Sequence, residues 1–225
     1  MRWFGILAVV ALPAVALGLG DGQGKKKPDA PKPAEKVAEK PAEAKLEIGK
    51  AAPAFELKDL DGKAVKLADY KGKTVVLEWF NPECPFVVRQ HSEGVLKDAA
   101  AKATKDGVVW LAINSSGAGM EGSDPEKNKK MKADWKMDYP VLVDADGMVG
   151  KAYGSKNTPT MYIIDAKGML AYHGAIDNAP DGKPEGGTLV NYVESALAEI
   201  KAGKPVSKAE TKAYGCGVKY AKPKT

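Results

Sequence analysis

The chain of 225 residues is 44% hydrophobic, 28% charged and 7% aromatic, with 24 Gly and 15 Pro, which suits one globular domain of moderate size beside irregular segments. Lys and Arg number 34 against 29 Asp and Glu, and the +5 excess is interleaved with acids, so the clustered basic face that nucleic-acid binding needs is excluded. Two cysteines and two histidines exclude a disulfide-dense scaffold and a four-ligand zinc site, and no metal or cofactor is expected.

Residues 1–20, MRWFGILAVVALPAVALGLG, have Arg2 as the only charge, an apolar run from Trp3 to Leu17 and an Ala14-x-Ala16 arrangement. This is the pattern of a secretory signal peptide. The uncharged stretch Trp3 to Gly20 is short for a membrane span and Pro13 disturbs it, so membrane attachment is expected only where the leader stays uncleaved. Export to a periplasm or beyond would place Cys84 and Cys216 where disulfides persist. Residues 21–46 mix Lys, Pro, Ala and Glu without an aromatic residue and read as a disordered linker.

The folded body is predicted over 47–202. Phe55–Leu57 and Ala64–Leu67 flank the turn pair Asp61-Gly62, a hairpin signal. Thr74–Phe80, TVVLEWF, reads as a buried strand interrupted only by Glu78. Pro85 opens an amphipathic helix that the spacing of Val88, Val95, Leu96, Ala99 and Ala103 carries to about Thr104, with Gly94 its weak point. Val108–Asn114 is a second buried strand, and Asp124–Lys136 a polar helix capped by Ser123 or Asp124. Pro140–Asp144, Thr160–Asp165 and Met169–His173 are short strands, the last two a hairpin across Ala166-Lys167-Gly168, and Thr188–Lys201 is a closing helix. This order implies an α/β fold with a mixed central sheet flanked by helices and an N-terminal hairpin extension.

Cys84 falls between the first long strand and a helix beginning at Pro85. A helix N-terminus gathers positive partial charge and free N–H donors, which favour thiolate, although the adjacent Glu83 opposes it unless its carboxylate points away. The other reading of Cys84 is a small buried side chain packing as a hydrophobe.

The strand TVVLEWF, Cys84 at a helix start, Thr158-Pro159-Thr160 before the strand MYIID, and the lead-in Gly49-Lys50-Ala51-Ala52-Pro53-Ala54-Phe55 together resemble the thioredoxin-like redoxins. Within them the chain is most similar to the alkyl hydroperoxide reductase and thiol-specific antioxidant family and its peroxiredoxin-like extracytoplasmic relatives, over about two thirds of its length, Glu47 to Ile200. The resemblance implies a thioredoxin fold, a redox-active Cys84, a cis Pro159 facing it, and substrate contacts from Trp79, Asn81, Pro85, Thr158 and Pro159. It also implies that Glu78, six residues before Cys84, is a buried carboxylate relaying protons to a leaving thiol; the alternative is a side chain that reaches the sheet edge or pairs with a Lys. Val87 stands where thioredoxins carry a second thiol, so resolution within the helix is impossible, and Asn81 stands where peroxiredoxins carry Thr or Ser. His91 shares the helical face of Cys84 but lies about 10 Å along the axis, so packing rather than proton abstraction is expected of it, and a weak electrostatic role of Arg89.

Residues 203–225 read as a flexible, lysine-rich arm with an exposed Cys216 between two glycines. Related redoxins place resolving cysteines outside CxxC, which makes Cys216 the candidate partner of Cys84. Extended, residues 203–216 span roughly 45 Å, enough to reach the site of their own or a neighbouring subunit, so a homodimer is compatible. A static structural disulfide and an unpaired thiol remain the alternatives. Two functions follow: an exported thiol oxidoreductase acting on a protein disulfide or small hydroperoxide with an external thiol reductant, or a thioredoxin-fold binding module that takes extended peptides beside Pro159 without exchange chemistry.

Overall fold

A computed structural model describes residues 46–222; the predicted leader and nearly all of the predicted linker lie outside the described residues. Seven strands form one mixed sheet in the order β2-β1-β5-β4-β3-β7-β8. The expected hairpin is β1 (Glu56–Asp59) with β2 (Ala64–Lys66), and β1 joins the sheet by pairing antiparallel with β5 (Val141–Val143). At the centre β3 (Val75–Trp79) runs parallel to β4 (Val109–Asn114) and antiparallel to β7 (Thr160–Ile164), which turns back into β8 (Leu170–Gly174).

The run of β3, apolar but for the buried Glu78, reflects burial on both faces. Val76 and Phe80 join one core cluster with Val87, Leu96, Trp110, Ile163 and Val193; Val75, Leu77 and Trp79 join another with Leu111, Tyr153 and Tyr162. The first cluster is covered by α1 (Pro85–Ser92), α2 (Leu96–Lys105) and α5 (Tyr192–Lys201), and the second by α4 (Met148–Ala152) with Phe55 and Val65.

The single helix expected from Pro85 to Thr104 is two. Gln90 folds back so that its Oε1 accepts the Val95 N–H at 3.0 Å, and a Cβ on Gly94 would lie 2.3 Å from that oxygen, so the side chain takes the place of a helical turn. The polar helix α3 (Pro125–Asp134) starts as expected, with Asp124 accepting the Glu126 N–H at 2.9 Å. The closing helix starts later than expected, because Asn191 caps α5 by accepting the Glu194 N–H at 3.0 Å, which leaves Leu189 and Val190 exposed ahead of it.

Candidate active site

Cys84 is the N-cap of α1, with Pro85 exposed at the first helical position. Between β3 and this cap the chain makes a tight turn: the Asn81 carbonyl accepts the Cys84 N–H at 3.1 Å and its side-chain Oδ1 accepts the Glu83 N–H at 2.8 Å. The thiol is fully buried and donates to the Thr158 carbonyl at 3.1 Å. Thr158 precedes a cis peptide bond to the buried Pro159, and its carbonyl contact places the strand that ends at Thr158 against Cys84.

That strand, β6 (Asn157–Thr158), pairs antiparallel with β9 (Cys216–Gly217), with Thr158 opposite Cys216. The arm therefore lies on the body rather than standing clear of it, and Cys216 is half-buried instead of exposed. Its seating runs along the whole segment. Thr211 Oγ1 accepts the Ala175 N–H at 2.8 Å, Tyr214 donates to Asp177, the Val218 N–H reaches the Lys156 carbonyl at 3.0 Å, and Tyr220 donates to the Ser155 carbonyl at 2.7 Å. Composition misled here, because the few apolar and hydroxyl groups of a lysine-rich segment suffice to dock it when the body offers matching acceptors and close-approach glycines.

Both cysteines are free, and their thiols sit side by side. Burial pushes the Cys84 thiol up, but hydrogen bonding from Cys216 and Thr158 and the backbone N–H groups of Val87 and Cys216 outweigh it and hold the thiol below its ordinary range. The Thr158 hydroxyl approaches the sulfur only loosely and fills no close hydrogen bond among the described residues. Cys216 moves the other way, pushed up to about 11 by burial and then by hydrogen bonding to and repulsion from Cys84. The Cys84 thiol therefore ionises more readily than its neighbour.

Glu83 does not oppose this ionisation strongly. Its carboxylate is drawn to Lys127 Nζ at 2.5 Å and to the Gly122 N–H at 2.6 Å, and the Lys127 hydrogen bond, followed by that from Gly122, holds it below the usual carboxylate range. Asn81 is buried, and its Nδ2 has no partner among the described residues.

Glu78 is fully buried, as the resemblance implied, but its acceptors are occupied. Oε1 meets His91 Nε2 at 2.7 Å, and Oε2 accepts Trp110 Nε1 at 3.1 Å and the Tyr139 hydroxyl at 3.2 Å, so the partner is a histidine rather than a lysine. His91 packs, as expected, with its ring stacked on Trp135 at 4.6 Å. Arg89 binds the Ala179 and Pro180 carbonyls.

Trp79 is a correction. Strand alternation sends its ring into the core cluster opposite that of Cys84, where its Nε1 donates to Ser115 at 3.0 Å and it packs on Tyr153 and Tyr162, so it makes no substrate surface beside the thiol. Sequence reasoning also missed Gln90, Asp177 and Tyr214, which meet where the arm crosses the helix that Cys84 caps. The available signal was Tyr214 itself, an aromatic residue two before Cys216 in a segment otherwise rich in lysine.

A mixed thioredoxin-type sheet, a thiol at the N-cap of the helix after its central strand, and a cis-proline strand facing that thiol define a thioredoxin-fold thiol oxidoreductase. The chain belongs to the AhpC/TSA family, which it matches over residues 48–173. It is 33% identical over 128 residues to the thiol-disulfide oxidoreductase ResA of Bacillus thuringiensis, covering 57% of this chain and 69% of that protein. To the chloroplastic peroxiredoxin Q of Oryza sativa it is 30% identical over 137 residues, covering 57% of this chain and 58% of that one. The fold is similar to the crystal structure of an uncharacterized conserved protein from Geobacillus kaustophilus, with 32% identity, a TM-score of 0.70, and coverage of 80% of this chain and 95% of that one.

Proposed function

We propose that this protein is an exported two-cysteine thiol oxidoreductase in which Cys84 is the nucleophile and Cys216 the resolving thiol. The observation that carries the reading is the side-by-side placement of the two free thiols, one lowered and one raised, with Cys216 paired to Thr158, the residue before Pro159. Export is supported by the leader pattern of residues 1–20, and the division into 1–20, 21–46, 47–202 and 203–225 is supported by the shifts in composition along the sequence.

With a hydroperoxide, the Cys84 thiolate attacks the distal oxygen, the O–O bond breaks, the alkoxide leaves as alcohol after taking a proton, and Cys84 becomes a sulfenic acid. The Cys216 sulfur then attacks the Cys84 sulfur, the S–O bond breaks, water leaves carrying the Cys216 proton, and a Cys84–Cys216 disulfide remains. With a disulfide substrate the intermediate is a mixed disulfide, from which Cys216 displaces the second substrate thiol. An external thiol reductant returns both cysteines. The electrostatics favour this order: burial is the main cause that keeps Cys216 protonated, and once Cys84 is oxidised the repulsion that the thiolate adds to it is gone, so Cys216 ionises more readily.

Buried Asn81 and Thr158, whose amide and hydroxyl fill no close hydrogen bond among the described residues, are the candidate groups for orienting the incoming substrate, and Pro85 and Pro159 line its approach. Glu78 serves better as the anchor beneath the site than as a relay, since His91, Trp110 and Tyr139 already fill its acceptors. The binding-module alternative has less support, because the arm itself pairs with the edge an extended peptide would take.

The test is exposure of the reduced full-length chain to hydrogen peroxide, followed by alkylation and peptide mass mapping. A Cys84–Cys216 disulfide should form, be lost in Cys84→Ser, and stop at a Cys84 sulfenic acid in Cys216→Ser. Two unreacted thiols would rule out a peroxide substrate, and unreacted thiols with a small-molecule disulfide as well would end the proposal.

A further inference from the structure

Tyr214, Asp177 and Gln90 close a hydrogen-bonded triangle. The Tyr214 hydroxyl donates to Asp177 Oδ1 at 2.5 Å, while Gln90 Nε2 donates to the Tyr214 oxygen at 2.7 Å and to Asp177 Oδ2 at 2.8 Å. Gln90 and Asp177 are almost wholly buried, and Asp177 Oδ1 also accepts the Ala179 N–H at 2.9 Å. The triangle belongs to three separate pieces of chain: Gln90 to α1, Asp177 to the loop after β8, and Tyr214 to the arm. Arg89 ties the same loop to α1 through the Ala179 and Pro180 carbonyls.

Its location relates it to the thiols. Helix α1 carries Cys84 at its N-cap and Gln90 about 9 Å further along its axis. The Tyr214 ring rests 6.0 Å from that of Phe86, in the first turn of the same helix. Only Gly215 separates Tyr214 from Cys216, and it is held against the Thr158 carbonyl. The arm is therefore fastened to the nucleophile's own helix immediately before the second thiol. A thiol on a free arm samples a large volume, whereas one residue from a fixed anchor it is held near its target at high effective concentration.

We propose that Tyr214, held by Asp177 and Gln90, is a positioning residue that sets Cys216 for attack on the oxidised Cys84. This rests on the reading of Cys216 as the resolving thiol, and it adds the device that makes resolution fast. Tyr214 touches no reacting atom; its hydroxyl acts through the backbone of Gly215 and Cys216.

The test separates two rates in the full-length chain treated with hydrogen peroxide. Oxidation of Cys84 is followed by trapping the sulfenic acid with dimedone, and resolution by the mass of the Cys84–Cys216 disulfide after alkylation. In Tyr214→Phe, which keeps the ring against Phe86, oxidation should stay within about twofold of the parent while resolution slows about tenfold, and trapped sulfenic acid should rise. Asp177→Asn, whose amide oxygen can still accept, should fall between the two. Resolution at the parental rate in Tyr214→Phe would overturn the proposal, and so would equal slowing of both steps, which is the signature of general loosening. Hydrogen exchange of the Gly215–Gly217 amides in the reduced proteins reads the anchor without any chemistry and should be faster in Tyr214→Phe. If the parent forms no Cys84–Cys216 disulfide, the assignment of Cys216 fails, and with it the positioning role, even where exchange shows that the triangle anchors the arm.

Discussion

Gly215 approaches Thr158 so closely that a Cβ added to it would lie 2.0 Å from the Thr158 carbonyl oxygen, the atom that accepts the Cys84 thiol. Gly215 also has φ of 120°, which L side chains rarely adopt. Gly215→Ala should therefore push the arm off β6 while leaving the sheet intact. Peroxide-driven Cys84–Cys216 disulfide formation should fall by at least tenfold with little change in the thermal midpoint. An unchanged rate of disulfide formation would show that this contact does not set the approach of Cys216.

The two thiols should titrate in opposite senses. Cys216→Ala removes a donor to the Cys84 sulfur, so the Cys84 pKa, read from thiolate ultraviolet absorbance against pH, should move up. Stability follows with opposite signs. The lowered Cys84 contributes stability that is present above the unfolded thiol value and lost as pH falls through its folded pKa. Cys216 holds its proton up to about 11 against an ordinary 9.0, so the native state binds more protons than the unfolded chain in that window. Denaturant stability of the reduced protein should decline from pH 9.0 toward about 11 through this thiol, and Cys216→Ala should flatten the decline.

His91 and Glu78 form a buried pair whose disruption leaves a carboxylate short of a donor in the core under α1. His91→Leu should cost about 3 kcal/mol in urea unfolding. Glu78→Gln, which keeps the volume and one acceptor for Trp110 or Tyr139, should cost less. A loss below about 1 kcal/mol in His91→Leu would mean that the pair does not hold α1 in place.

Lys127 neutralises Glu83 beside the nucleophile. Lys127→Met should let the Glu83 charge act on Cys84 and raise the thiol pKa, slowing peroxide oxidation near neutral pH by about twofold to threefold. Because Lys127 is half-exposed, the difference between the two proteins should shrink as salt is added. A difference that persists at high salt would assign the effect to rearrangement of the Gly122 loop instead.

Much of the fold was legible because it rests on local rules. The run TVVLEWF at β3, the Asp61-Gly62 turn, the Asp124 cap and the thiol at the head of a Pro-initiated helix each have a signature within a few residues, and each stands where the sequence put it. The spacing also marked Gly94 as weak, but not that Gln90 would supply the break by folding back on the backbone. Trp79 shows the limit of a motif read in one dimension: beside the nucleophile in sequence, it is turned to the opposite face of the sheet by the two-residue period of the strand.

The amino-acid sequence by itself determined the strands β1–β5, β7 and β8 and most of the helices, the position of Cys84 at a helix start, and its kinship with redoxins, because periodicity, turn chemistry and caps act over a few residues. Only the tertiary structure decided that Cys216 lies against Cys84, that Glu78 is taken by His91, and that Tyr214 closes on Asp177 and Gln90. Glu78 and His91 stand 13 residues apart, Asp177 and Tyr214 37, and Gln90 and Tyr214 124, while the arm also meets the body through Asn157 and Gly215, 58 apart. Contacts at such separations depend on the path of the whole chain, and buried polar groups that recur with no period leave no pattern from which their partners can be read.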